Sequence, residues 1–357
     1  VTAGPDYVAS AAELSQTLGP LGAPDLLLLA THALRVGSLD YALAISELAP
    51  DGTEPSLALT RAAALFGLGR HEEARRLVAD VQRRNPDHLA AMFYGAQMAA
   101  HAGDAAEAIQ LLLSTLERFP DFPGAAGMLA GLRFPGPSYR DVLSRLHELL
   151  RPRAYLEIGV ETGATLAFAK HSEKVIGIDP DSSKLRRDSI PPHARVFHET
   201  SDAFFSRTSR AEALEGRPLD LAFIDGMHLF EYALRDFVNV EAWCAPGSTI
   251  VLHDCVPLLP LTASRERHTK FWVGDVWKVV SILRERRPEL RVKIIATAPS
   301  GLCVVRGLDP QSSVLREHLD EIIEQYRDLA YPAQGLDVPS GFDLVPATSA
   351  GVAKALV

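Results

Sequence analysis

Two apolar runs in this chain end in groups that can titrate. Leu221-Ala222-Phe223-Ile224 stops at Asp225, with His228 three positions on, and Thr249-Ile250-Val251-Leu252 stops at the pair His253-Asp254. Carboxylates and imidazoles together are donors for a divalent cation such as magnesium or manganese. An imidazole, with an ordinary pKa of about 6.5, is also the side chain best matched to moving a proton at neutral pH. If the two runs are adjacent parallel strands, their carboxyl ends open on one rim, where ligands bind in such sheets. Taken singly, Asp225 can cap the next helix, His228 can be a surface histidine, and Asp254 can accept loop hydrogen bonds. Taken together, Asp225, His253 and Asp254 are the expected metal ligands and His228 the expected general base.

A second constellation precedes the first. The apolar stretch Ala154-Tyr155-Leu156 runs into Glu157-Ile158-Gly159-Val160-Glu161-Thr162-Gly163. Two glycines let the backbone turn sharply and pass close to a ligand at the start of a following helix. A dinucleotide fingerprint would need glycine at 161, and Glu161 there argues against a bound pyrophosphate. The next strand ends at Asp179, at the spacing from Gly159 where a carboxylate accepts ribose hydroxyls.

The elements that must carry these residues alternate after the Phe134-Pro135-Gly136-Pro137 hinge. A helix at 138–150 leads to strand AYLEIG, helix ATLAFAKH, strands KVIGID and ARVFHE, helix DAFFSR, strand LDLAFID, helix LFEYALRDFVNVEAW, strand STIVLHD, helix VWKVVSILRER and strands VKIIAT and GLCVVR. That order predicts an α/β, doubly wound, Rossmann-like sheet of seven strands, the last two pairing as an antiparallel edge.

On Glu157-x-Gly159-x-x-x-Gly163 and this strand order, residues 138–307 resemble the class I S-adenosylmethionine-dependent methyltransferases. The resemblance implies S-adenosyl-L-methionine as cofactor. Glu157, Gly159 and Gly163 would sit at its amino-acid portion, Asp179 at the ribose, Ser201 and Asp202 beside the adenine, and Asp225 at the same pocket. Asp202 can equally cap the helix DAFFSR. Asp225-x-x-His228 with the acid-bearing pair after the fifth strand is similar to the metal-dependent O-methyltransferases of macrolide sugars. That likeness implies methylation of a hydroxyl on a small molecule, a sugar of a natural product or glycan, with Asp225 and Asp254 as ligands and His228 as base. His253 stands where those enzymes usually carry a carboxylate.

Ahead of the hinge, three segments repeat one pattern. Gly37, Gly69 and Gly103 open them, Ala42, Ala74 and Ala108 follow five residues later, and Pro50, Pro86 and Pro120 close them. Glycine ends one helix, alanine permits a close helix crossing, and proline stops the second helix. With a period of about 34 residues this resembles three tetratricopeptide repeats over residues 24–134, without the large aromatic usual in the first helix. No charge or aromatic row marks a groove, so self-association or scaffolding is expected ahead of peptide binding. The expected domains are 1–134 (repeats), 135–310 (methyltransferase) and 311–357 (a C-terminal helix and a loosely ordered tail).

The 36 Lys and Arg against 45 Asp and Glu give a net charge of −9, which offers no footprint for nucleic acid. Cys244, Cys255 and Cys303 form no Cys-x-x-Cys, which fits a reducing cytoplasm. The first basic residue is Arg35 and the early apolar run at 26–30 is short, so neither a secretory leader nor a membrane span is expected. Residues 255–277 form a long connection expected to act as a lid, with Arg265, His268, Trp272 and Trp277 able to meet substrate; Trp277 is equally placed to pack on the sheet. His71, His88, His101, His171, His193 and His198 lack partners at ligand spacing and are expected to be structural or exposed. Two other functions stay open: an adaptor whose sheet domain keeps the fold without turnover, and metal-independent methylation of a phenol or amine by way of His228.

Overall fold

The computed structural model describes residues 21–49, 54–332 and 337–357. Pro50, the first of the closing prolines, lies outside the described residues. The chain divides into two units, one ending at Leu129 and the other beginning at Ala130.

In the first unit, helices Ala23–Arg35 and Leu39–Glu47, Pro55–Gly67 and His71–Arg84, and Leu89–His101 and Ala105–Arg118 form three hairpins. Each first helix ends on a left-handed glycine, with φ of 78° at Gly37, 80° at Gly69 and 83° at Gly103. The following amide reaches back to close the turn: Ser38 N–H donates to Ala33 O at 2.9 Å, Arg70 N–H to Leu65 O at 2.8 Å and Asp104 N–H to Ala99 O at 2.9 Å. That bond satisfies an orphan carbonyl, and a residue with a Cβ would adopt the same φ only under strain. Ala42, Ala74 and Ala108 are all completely buried, as a close crossing requires.

The second unit is built on one sheet of order β3-β2-β1-β4-β5-β7-β6-β8. Its strands are β1 Ala154–Ile158, β2 Lys174–Ile178, β3 Arg195–Phe197, β4 Leu219–Ile224, β5 Cys244–Leu252, β6 Arg291–Ala296, β7 Leu302–Arg306 and β8 Leu344–Pro346. The first five are parallel, and β7 runs antiparallel to both β5 and β6. Central strands covered on both faces read as continuous apolar runs, and Tyr155, Leu221, Phe223, Val251 and Val304 are fully buried.

All seven expected strands are present, but the sheet has eight. The extra one comes from the tail expected to be loosely ordered: β8 pairs parallel with β6, Ile294 opposite Leu344. The β7–β6 pair is therefore not the edge. An open β6 would leave a row of unpaired amides; Ile294 N–H instead donates to Asp343 O at 2.9 Å. The tail then enters helix Ser349–Ala355, which buries Val352 and Ala355 in the main core. A three-residue strand is too short to show as an alternation in the sequence.

The helix expected over ATLAFAKH is also absent, replaced by a single 3-10 turn at Leu166–Phe168. Residues 164–173 must return along a strand roughly 16 Å long. They do so through successive turns, and the glycine turn has no long helix behind it.

Candidate functional site

The sheet register sets the site. Ile158 pairs with Ile224, and Ile224 with Leu252, so the residues that follow them leave the sheet side by side. The ladder continues one step beyond the strands. Gly159 N–H donates to Ile178 O at 2.9 Å, Asp225 N–H to Ile158 O at 2.8 Å and His253 N–H to Ile224 O at 3.1 Å. Asp179, Gly159, Asp225 and His253 thus form one row at the carboxyl rim.

The titratable groups meet there. His253 Nδ1 lies 3.1 Å from Asp225 Oδ1 and 3.4 Å from Asp254 Oδ1. His228 Nε2 lies 3.1 Å from Asp254 Oδ2 and 3.7 Å from Asp225 Oδ1. One ligand atom from each of Asp225, His253 and Asp254 falls within 4.8 Å of the others. Asp254 adopts φ 59°, a left-handed conformation uncommon for a residue with a Cβ, and aims its carboxylate back at the row. Burial opposes charge on Asp225, but His253 and His228 outweigh it and hold its pKa well below the carboxylate range. Burial likewise opposes a charged His228; Asp254, Asp225 and the Trp272 carbonyl overcome it and push the pKa up to about 9. His253 moves upward for the same kind of reason, Asp254 and Asp225 prevailing over burial.

His228 sits in the turn ahead of the next helix, which starts at Phe230. The lid segment holds that turn. His228 Nδ1 faces Trp272 O at 3.2 Å, Asp275 N–H donates to His228 O at 3.2 Å, and the Trp272 ring stacks on the imidazole at 5.4 Å and 25°. Asp275 Oδ1 caps the helix by accepting from Phe230 N–H at 2.9 Å. Its Oδ2 accepts from Arg265 at 2.8 Å and from Lys278 at 2.9 Å, and Arg265 also grips Glu231.

Of the residues expected to meet substrate from the lid, Arg265 is thus spent on clamping it, and Trp277 is 1% exposed and packs inside the unit. His268 points to Glu266 at 3.5 Å on the surface. Trp272 alone of the four touches the titratable cluster.

The glycine turn abuts this cluster. Gly159 has φ 87°, and a Cβ there would sit 1.9 Å from the Asp225 carbonyl oxygen; at Gly163 one would fall 2.6 Å from the Ile190 side chain. Asp179 steadies the turn, accepting from Glu161 N–H at 2.7 Å and Asp181 N–H at 2.8 Å. Each of its oxygens keeps a second lone pair for a ligand. Glu157 is fully buried under the turn, its oxygens taken by the Tyr155 hydroxyl at 2.6 Å and the Thr165 hydroxyl at 2.8 Å. Burial, opposed by those two bonds, pushes its pKa up to about 8.

Thr200, not Asp202, caps helix Ser201–Arg207. Asp202 instead pairs with Arg235, whose Nε lies 3.2 Å from both carboxylate oxygens. Asp236 is a buried acid on helix Phe230–Glu241, and Ser201 favours its charged form.

Two residues of the site escaped the sequence. Tyr139 stacks on the His253 ring at 4.3 Å and 29°, and Ser300 Oγ donates to Asp254 Oδ1 at 2.5 Å and lies 3.4 Å from His253 Nε2. Ser300 had a signal: an antiparallel β7 brings the residues before it, not after it, to the carboxyl rim. Tyr139, at the start of its helix, had none.

Comparison with known proteins agrees with the geometry. Residues 156–255 match the family described as a methyltransferase domain, and residues 59–123 match a tetratricopeptide repeat. The match places a methyltransferase domain within the second unit and a tetratricopeptide repeat within the first. Among solved structures, the chain is similar to TomG, an O-methyltransferase of Streptomyces achromogenes involved in tomaymycin synthesis and solved with SAM. The identity is 15% and the TM-score 0.39, over 56% of this chain and 96% of that one. Cofactor-bound Rv0187 from MTB gives 17% and 0.39 over 56% and 96%, and an O-methyltransferase from Bacillus cereus in complex with SAH gives 13% and 0.37 over 56% and 90%. No curated protein matches the chain. Among the described residues no helix is long and apolar enough to cross a membrane, and Cys244, Cys255 and Cys303 are free and buried.

Proposed function

We propose that the chain is an O-methyltransferase that moves the methyl group of S-adenosyl-L-methionine to a hydroxyl of a small molecule, a sugar of a natural product or glycan, with a divalent cation. The observation that carries this reading is the contact between the Gly159 turn and Asp225, which brings the cofactor motif and the cluster of acids and imidazoles to one rim.

In this reading Gly159 and Gly163 let the backbone approach the cofactor's amino-acid portion, Glu157 holds that turn from beneath, and Asp179 accepts the ribose hydroxyls. Ser201 and Asp202 border the adenine, and Asp225 faces both cofactor and cation. Two carboxylates and an imidazole within bonding reach of one point suit a divalent cation, held by Asp225, His253 and Asp254. When bound, the cation supplies positive charge that lowers the pKa of an acceptor hydroxyl.

His228 takes the proton, and its lid contact fixes the atom. Nδ1 faces the Trp272 carbonyl, which can only accept, so Nδ1 carries the hydrogen and Nε2 of the neutral ring offers its lone pair. The acceptor O–H bond breaks toward Nε2 and the oxygen forms a bond to the methyl carbon. The C–S bond breaks with its electron pair passing to sulfur, and S-adenosylhomocysteine leaves. Arg265 and Asp275, by clamping the lid, hold His228 in place and keep water out.

The repeats serve self-association or a protein partner in this reading, since no metal-ligand cluster occurs among their described residues. Incubation with methyl-labelled cofactor and a panel of hydroxylated glycosides, with and without chelator, tests the whole. A labelled methyl ether whose formation stops with chelator is the expected product, and absence of S-adenosylmethionine binding in calorimetry would sink the reading.

A further inference from the structure

We infer that the cluster of Asp225, His253 and Asp254 selects a borderline transition-metal dication, of the Mn2+, Co2+ or Zn2+ class, over Mg2+. This rests on the metal reading above and concerns what His253 does to it.

Magnesium wants oxygen donors in near-ideal octahedral geometry and sheds its water reluctantly. Imidazole nitrogen suits the later metals, whose affinities rise from manganese toward zinc and copper. A third carboxylate would have added a negative charge that favours a hard cation; His253 supplies a neutral nitrogen instead. The selectivity therefore depends on whether that nitrogen must face the acids.

Burial and two contacts hold it there. The ring is 7% exposed, Tyr139 stacks on its face at 4.3 Å and 29°, and Ser300 Oγ lies 3.4 Å from Nε2. A turned ring would lose the Ser300 contact and present carbon to Asp225, so Nδ1 stays at 3.1 Å and 3.4 Å from the two carboxylates.

Ser300 also sets the tautomer. Its hydroxyl has one hydrogen, donated to Asp254 Oδ1 at 2.5 Å. Toward His253 it can only accept, so it holds the hydrogen on Nε2, and Nδ1, whose own hydrogen meets the Asp225 carboxylate, is the nitrogen whose lone pair a cation takes on displacing that proton. One serine thus orients both an oxygen ligand and the nitrogen ligand, the kind of outer-shell contact that tunes a metal site.

The test uses the full chain stripped of metal and titrated calorimetrically with Mg2+, Mn2+ or Co2+ alone, with the visible absorption of the Co2+ form as a second readout. Mn2+ is expected to bind at least about tenfold more tightly than Mg2+, and Co2+ more tightly still. His253→Asp should bring Mg2+ and Mn2+ to near parity and shift the Co2+ bands. Ser300→Ala, which deletes one hydroxyl and keeps every ligand, should cost about tenfold in Co2+ affinity and less in Mg2+ affinity. Equal Mg2+ and Mn2+ binding by the native chain, or a ratio unmoved in a folded variant, overturns the inference while leaving metal-assisted methyl transfer standing. If none of the three ions binds, the metal part of the proposed function falls as well.

Discussion

His228 Nε2 stands 3.1 Å from Asp254 Oδ2, so the proposed base faces one of the proposed metal ligands directly. In the chelated protein this keeps the imidazole charged up to about pH 9, against 6.5 for the free side chain. The folded pKa is raised, so the contact's stabilisation is fully present below about pH 6.5 and is lost as pH rises through about 9. Denaturant unfolding of the chelated protein should show that decline, and His228→Gln should flatten it. A cation shared by Asp225 and Asp254 competes with the imidazolium, so adding Mn2+ should lower the pKa read from the His228 ring protons by NMR. A ring that titrates near 6.5 under chelation would contradict the geometry.

Removing the base is the next test. His228→Ala should lower kcat by about 10²- to 10⁴-fold, the usual contribution of a positioned base. S-adenosylmethionine affinity should be unchanged, because the turn from Gly159 to Gly163 is untouched. A variant that keeps native kcat would assign the proton to another acceptor.

Much of this site was legible in the sequence because strand ends are. An apolar run closing on an acid marks where a buried strand meets the rim, which located Asp225, His253 and Asp254, and the positive-φ turn was visible in Gly159 and Gly163. What stayed hidden depends on distant chain. The capping of the helix at Phe230 by Asp275 and the holding of His228 by Trp272 join residues some 45 positions apart, and no local pattern encodes them. Arg265 looked like a substrate contact because its loop shows no partner for it at a distance; Glu231 and Asp275 come to it only in the fold. The tail misled through its composition, since three residues on the edge of β6 suffice for β8.

The lid's grip on His228 makes Gly274 a sensitive position. Gly274 has φ 60°, and a Cβ there would fall 1.6 Å from the His228 carbonyl oxygen. Gly274→Ala must push residues 272–275 off the His228 turn, at a cost of about 1–3 kcal/mol in stability. Denaturant unfolding should show that loss and steady-state kinetics a fall in kcat larger than any change in cofactor affinity. Native kcat in this variant would mean the strap does not position the imidazole.

A last prediction concerns an acid outside the proposed chemistry. Asp236 is 2% exposed on the helix behind β4, and its Oδ1 is buried without a hydrogen-bond partner. Burial, only partly offset by nearby Ser201, pushes its pKa up to about 7 from 3.8. Between those values the folded state binds a proton that the unfolded chain releases, so stability is full below about pH 4 and falls as pH rises through about 7. Asp236→Asn keeps the shape but cannot ionise. It should therefore leave stability near pH 4 unchanged and raise it at pH 8 by on the order of a few kcal/mol. Unfolding in urea at the two pH values reads this directly, and a variant destabilised equally at both would mean that Asp236 is charged in the native state and held by a partner it needs.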